Sequence, residues 1–181
     1  MSQFGTQHDY VMTEEIAPAR QRLSEFVLWH ELQTMVEVGF GWVPCADAPS
    51  TFDGLQESFA RSVATGEPLP ISSKNTASVI FTSPSVNMSQ RFVHDVHHVR
   101  LGLSFGLIDE LELALWHLDQ LQAVGFARDS LEYSLFHADL VGQVLVNALG
   151  RRFPSDQELF GLDCARLGFD HGILAELRRS A

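Results

Sequence analysis

Apolar residues recur three and four positions apart over most of this chain, the period of an amphipathic helix. The first such run extends from Glu14 to about Val38, carried by Leu23, Phe26, Val27 and Met35, and Gly39 and Gly41 end it. The following "GWVPCADAPS" reads as a loop, and "TFDGLQESFARSVATG" as a shorter helix closed by Gly66 and Pro68. From Pro68 to Ser89 the period is lost. This stretch is rich in Ser and Thr and punctuated by Pro68, Pro70 and Pro84, so it predicts a long ordered loop or flap, with only "ASVIF" hinting at a strand.

Helical periodicity resumes near Met88, falters at "GLSFG" (residues 102–106) and restarts in "LIDELELALWHLDQLQAV", where Leu107, Leu111, Leu115 and Leu118 form one stripe. Asp129 and Glu132 fit an N-cap and reach-back pair opening "SLEYSLFHADLVGQVLVNALG", which Gly150 stops. Beyond Pro154, Ser155 and Glu158 fit a capping box, and "DHGILAELRR" closes the chain as a short helix. The pattern predicts an all-α single-domain bundle of five to seven helices over residues 1–181, with a broken helix at Gly102–Gly106.

Composition narrows the function. A chain of 181 residues that is 45% hydrophobic can build one sizeable core and is short for two. Twelve Lys and Arg against 23 Asp and Glu give a net charge of −11, which repels phosphate backbones and anionic lipid. Nucleic acid is therefore excluded as an expected partner. No apolar run approaches the roughly 18 residues of a membrane span, which leaves peripheral contact as the only membrane role open. Cys45 and Cys164 are the only cysteines, so neither a disulfide framework nor a thiolate zinc site can be built. The N-terminus has the character of neither a secretion signal nor a transit peptide, and a cytoplasmic location is expected.

The candidate chemistry lies in "RFVHDVHHVR", which places His94, Asp95, His97 and His98 in five positions. At about 100° per residue, His94, Asp95 and His98 share one sector of a helix and can converge on one ion. His97 points about 100° away from the centre of that sector and flanks it. Two imidazoles and a carboxylate suit zinc or another first-row divalent ion, leaving room for a fourth ligand and a labile water or substrate atom. Asp109, Glu110 and Glu112 are the candidates for that fourth place. On an unbroken helix Glu110 would stand about 18 Å along the axis from His98, out of reach. A break is required, and the glycines at 102 and 106 supply one.

Other polar residues have more ordinary readings. His30, beside Glu31, could approach the metal as a base. His117 falls at an edge of the core. His137 and Asp139 could orient a ligand imidazole, a role that metal-bound histidines usually need filled. A ferritin-like di-iron site would want two Glu-x-x-His helices, and the chain has none.

His94-Asp95-Val96-His97-His98, followed by Gly102 and, after eleven intervening residues, Glu110, resembles the HDxxH...E motif of the ubiquinone (coenzyme Q) biosynthesis protein 4 family. The tail "ELFGLDCARLGFDHGILAELRR" is similar to that family's ending, with Cys164 where an aromatic residue is more typical. The likeness covers roughly residues 80–181, and the unmatched first half with no transit sequence points to a divergent bacterial member. It implies one divalent metal, zinc first and iron or manganese as alternatives, held by His94, Asp95, His98 and Glu110. Arg91 resembles the basic residue that precedes the HD pair and, with His97, would stand in the second layer around the metal.

The resemblance also implies loss of a ring carboxyl, with replacement by hydroxyl, from a prenylated hydroxybenzoate, its tail housed between helices. The expected function is thus a metal-dependent tailoring enzyme, decarboxylase or lyase in type, for an apolar aromatic, quinone-precursor or polyketide-like metabolite. It acts through the metal held by His94, Asp95, His98 and Glu110. Two alternatives stay open. One is a non-catalytic, metal-stabilised module that binds a prenylated molecule or scaffolds other enzymes, as a homodimer or within a biosynthetic complex. The other is an HD-type phosphohydrolase, which would need His30 and Asp139 to reach the same metal.

Overall fold

The structure is a computed structural model that describes residues 5–76 and 79–179, with side chains from Glu15 onward. The predicted all-α bundle is observed, built among the described residues from seven helical rods. These are α1 (Gly5–Val38), α2 (Phe52–Thr65), α3 (Pro84–Leu101), α4 (Leu107–Ala123), a composite rod, α7 (Gln157–Leu167) and α8 (Phe169–Arg178). The composite rod joins α5 (Leu131–His137) through a π-helical turn (Ala138–Gly142) to α6 (Gln143–Gly150). Among the described residues no helix is long and apolar enough to cross a membrane.

Capping chemistry sets several boundaries. The Thr51 hydroxyl accepts from Gly54 N–H to open α2, and Gly66 closes it at φ +74°. Ser83 accepts from Val86 N–H and Pro84 occupies the first turn, so α3 starts four residues ahead of Met88, where the apolar period resumes. Two expected caps are displaced. Ser130, not Asp129, caps α5 by accepting from Tyr133 N–H, and Glu132 pairs with Arg22 of α1 instead. Asp156, not Ser155, caps α7 by accepting from Leu159 N–H, while Glu158 pairs with Arg20.

The region read as loops contains a small crossover unit. β1 (Trp42–Cys45) and β2 (Leu69–Ser72) pair in parallel with Trp42 opposite Leu69 and Cys45 opposite Ser72, and α2 connects them. Each strand has four residues and contains a proline, too short for alternation to show. Leu69 and Ile71 join Phe40, Leu55, Phe92, Val93 and Val96 in a core beneath one face of α3.

The strand expected at "ASVIF" is not formed by its described residues. Residues 77 and 78 lie outside the described residues, and the carbonyls of Val79, Ile80 and Phe81 all accept from the Arg20 guanidinium, at 3.1, 2.8 and 2.8 Å. The Ser24 hydroxyl accepts from Thr82 N–H at 3.0 Å. Side chains of α1 thus satisfy the backbone of a buried segment that a sheet would otherwise have to satisfy. The side chains of Val79, Ile80 and Phe81 meanwhile enter the largest core with Leu23, Phe26, Leu118 and Phe136.

The α4 stripe is a second correction. Leu107 and Leu115 are 47% and 55% exposed, and the buried face runs through Leu113, Ala114, His117, Leu118 and Leu121. A stripe traced on leucine alone omits Ala114 and His117, which belong to the inward face. That rotation turns Glu110, Ala114 and His117 together toward α3.

Candidate metal centre

The site is assembled by the end of α3 and its reversal into α4. Gly102 takes φ +71°, a left-handed conformation that closes the helix. Leu103 N–H then donates to the His98 carbonyl at 2.9 Å. Ser104 fixes the next step, since its N–H donates to the Asp109 carboxylate at 2.8 Å and its hydroxyl donates to the same oxygen. Asp109 is therefore a pin of the turn, held below the usual carboxylate range by these bonds from Ser104. The reversal brings the first turn of α4, and Glu110 with it, back beside His94 and His98.

Three ligand atoms converge. His94 Nε2 lies 2.9 Å from His98 Nε2 and 3.3 Å from Glu110 Oε2, and His98 Nε2 lies 3.6 Å from Glu110 Oε1. Zinc bonds of about 2.0–2.1 Å in a tetrahedron put ligand atoms about 3.3–3.4 Å apart, the middle of this range. The three residues form the one group among the described residues whose donor atoms could share a metal ion.

Hydrogen bonding on the far side of each ring suits that use. His98 Nδ1 is 2.9 Å from the Leu103 carbonyl, which requires Nδ1 to carry the proton and directs the Nε2 lone pair inward. His94 Nδ1 is 3.3 Å from His117 Nε2, and a proton on the former donates to the latter in the same sense. Burial, reinforced by the nearby His94, pushes His98 down to about 4, so the ring is neutral near pH 7. Burial alone would raise Glu110, but its contacts with His94 first and His98 second hold it below the usual range. Two inward imidazole nitrogens facing the Glu110 carboxylate form a donor set for a divalent cation.

The remaining expected site residues fall elsewhere. Asp95 is half-buried on the wall of the neighbouring cavity but is not in the converging group. Burial pushes its carboxyl up to about 6, against the pull of His94 and Arg91. Arg91 donates to the carbonyls of Ser72, Lys74 and Asn75 at 2.8, 2.6 and 3.2 Å, so it tethers the segment after β2. His97 Nδ1 bonds the Val93 carbonyl at 2.7 Å and its ring packs on Trp116 with centroids 4.0 Å apart, away from the ligand atoms.

His30 contacts the rings of His97 and His117 and does not join the group. Asp139 sits on the π-helical turn, accepts from Gln143 Nε2 at 2.6 Å and is pushed up to about 6 by burial. His137 packs on Phe169. Neither of them supplies a donor atom to the converging set.

The residue that orients His94 is His117, read from sequence only as a core-edge histidine. It is fully buried, and burial followed by the influence of His94 and His30 lowers it well below the ordinary imidazole range. The signal was present, because His117 follows Glu110 by seven residues with Ala114 between, one face of a helix.

Two cavities meet at the donor set. One of about 650 Å³ is walled by Asp95, Phe105, Leu107, Val144 and Phe153 with the three donors. The other, about 240 Å³, reaches His94 and Glu110 from the side of Asn87 and Gln90. No family model, no curated protein and no solved structure matches this chain.

Proposed function

We propose that this protein is a metal-dependent tailoring enzyme of decarboxylase or lyase type, acting on an aromatic acid of quinone-precursor or polyketide-like character. The observation that carries the reading is the convergence of His94 Nε2, His98 Nε2 and Glu110 on one point at the junction of two cavities. The resemblance of the His94–Glu110 motif to the ubiquinone biosynthesis family supports the same reaction class. Zinc is the favoured ion for a mixed imidazole and carboxylate set, with iron and manganese as alternatives.

When bound, a divalent ion supplies Lewis-acid stabilisation of negative charge on a substrate oxygen. The chain's own residues do the rest. His98, fixed by Leu103, and His94, fixed by His117, keep their lone pairs on the cavity side. Phe105, Leu107, Val144 and Phe153 pack against the ring and displace water from it. Asp95, on the same wall, offers a carboxyl that can hold the proton the reaction consumes. Loss of carbon dioxide breaks the bond between ring and carboxyl, leaves the electron pair on the ring carbon, and one proton is taken up there.

The test is turnover. Zinc-loaded protein is incubated with hydroxybenzoic and hydroxynaphthoic acids labelled at the carboxyl carbon, with labelled carbon dioxide and the decarboxylated ring followed by mass spectrometry. Product from wild type and none from Glu110→Gln is expected. Binding without conversion across the panel would overturn the catalytic reading in favour of a scaffold. Release of phosphate from phosphomonoesters would overturn it in favour of a phosphohydrolase.

A further inference from the structure

The histidines of α3 continue a polar stripe that begins two turns earlier. Asn87, Gln90, Arg91, His94 and His98 follow spacings of three and four and lie on one side of the helix. Such a stripe is ordinarily a solvated face, but here it is covered, with Asn87 and Gln90 only 5% and 4% exposed. Among the described residues, Asn87 Nδ2 and both amide atoms of Gln90 have no hydrogen-bond partner, and neither has the buried Oε1 of Gln157 at the start of α7.

All three residues line the 240 Å³ cavity that opens on His94 and Glu110. The π-helical turn contributes Asp139, and Gln143 directly follows it on the same wall, a local widening of the helix that recurs at functional sites. Buried amides without partners are costly and rare, and several on one cavity call for an occupant that pairs them.

The chemistry of the wall specifies that occupant. The Arg91 guanidinium is committed to three backbone carbonyls, and the carboxyl of Asp139 opposes its charge. With those two charges set against each other, the amides decide recognition. They present both N–H donors and C=O acceptors, which hydroxyl groups match because each donates and accepts. Asn87 stands seven residues before His94, about 10 Å along the helix, a reach longer than one aromatic ring.

We infer that this cavity is the recognition pocket for an uncharged, hydroxyl-bearing ring of the substrate, paired by Asn87, Gln90 and Gln157 while the acid group faces His94, His98 and Glu110. The inference rests on the proposed function and adds the substrate's remote chemistry to it.

Calorimetric titration of zinc-loaded protein compares naphthoic acid with a hydroxynaphthoic acid whose hydroxyl sits on the far ring. Wild type is expected to bind the hydroxylated acid at least about tenfold more tightly, because a site built around a hydroxyl rejects the analogue that lacks it. In Gln90→Leu and in Asn87→Leu that preference should fall below about threefold, with binding of plain naphthoic acid retained. Melting temperature should not fall, since Asn87 Nδ2 and both Gln90 amide atoms make no hydrogen bond among the described residues.

Equal affinity for the two acids in wild type, or binding of neither, overturns the inference. So does a Leu variant that keeps the full preference. If both α3 variants melt markedly lower, Gln157→Leu on α7 repeats the comparison. Metal content measured on the same samples keeps the two questions apart, because loss of zinc contradicts the proposed function, whereas loss of hydroxyl preference with zinc retained contradicts only the pocket.

Discussion

His98 Nδ1 lies 2.9 Å from the carbonyl oxygen of Leu103, and Leu103 N–H returns a 2.9 Å bond to the carbonyl of His98. One reciprocal pair therefore both closes α3 and aims a ligand imidazole. The turn depends on Gly102 at φ +71°, where an added Cβ meets nothing within 4 Å, so the position needs glycine for its conformation and not for space. Gly102→Ala is expected to lower stability by about 1–2 kcal/mol through left-handed strain and to weaken zinc binding at the same time. Gly102→Asn, which tolerates that conformation, should recover much of both losses. Calorimetric melting and a competitive zinc titration measure the pair, and an alanine variant unchanged in both would separate the break from the site.

His117 reaches the site through its contact with His94 Nδ1. Replacing it with Phe keeps a ring of similar size in the buried α4 face but removes the acceptor for His94 Nδ1–H. Zinc affinity should fall about 10–100-fold in His117→Phe, with the fold retained by circular dichroism. Affinity within about twofold of wild type would mean that His94 is oriented by packing and not by this bond.

His30 gives a pH signature in metal-free protein. Burial, with His97 adding and Glu37 opposing, holds its ring down to about 4 against an ordinary value of 6.5. As pH falls below 6.5 the unfolded chain takes a proton that the folded chain refuses, so stability present above that value is lost progressively toward pH 4. Asp95 and Asp139, pushed up to about 6, act in the opposite sense, since their folded forms bind protons that the unfolded carboxyls release. The difference between wild type and His30→Phe isolates the histidine. Urea unfolding near pH 7.5 and pH 5 should show a wild-type stability loss on acidification that is smaller in the variant. An equal loss in both would contradict a buried neutral His30.

Cys164 is sealed where α8 packs tightly on α7. A Cβ at Gly172 would come within 2.6 Å of the Cys164 Cα, and burial pushes the thiol up to about 12. Iodoacetamide should label half-exposed Cys45 and leave Cys164 untouched in native protein. Gly172→Ala should force α8 away from α7, cost about 1–3 kcal/mol and admit labelling of Cys164, read by peptide mass spectrometry. Labelling of Cys164 in wild type would contradict the packing.

The parts of this architecture legible in the sequence are those with local causes. The glycine break, the ends of α2 and the HDxxH face are written in adjacent residues, and the requirement that Glu110 return to His98 follows from helix rise alone. What was not legible depends on distant partners. β1 and β2 exist because each covers the other, and the 79–81 segment is held by Arg20 some sixty residues earlier. The N-caps slipped by one residue because Asp129, Ser130, Ser155 and Asp156 are chemically equivalent candidates, and only the backbone turn chooses among them. His117 reads as a core-edge residue because leucines alone set the α4 face in the sequence, whereas the inward turn of Ala114 and His117 is decided by packing against α3 and α5.

The central claim is a shared ion site made across the glycine break, and metal content by inductively coupled plasma mass spectrometry tests it most directly. Tag-free wild type is measured beside His98→Ala, Glu110→Ala and His97→Ala. About one divalent ion per chain in wild type and in His97→Ala, with sharp loss in the other two, is the predicted result. No metal in wild type, or full retention in both His98→Ala and Glu110→Ala, would contradict it and leave the convergence of these three side chains without a ligand to explain it.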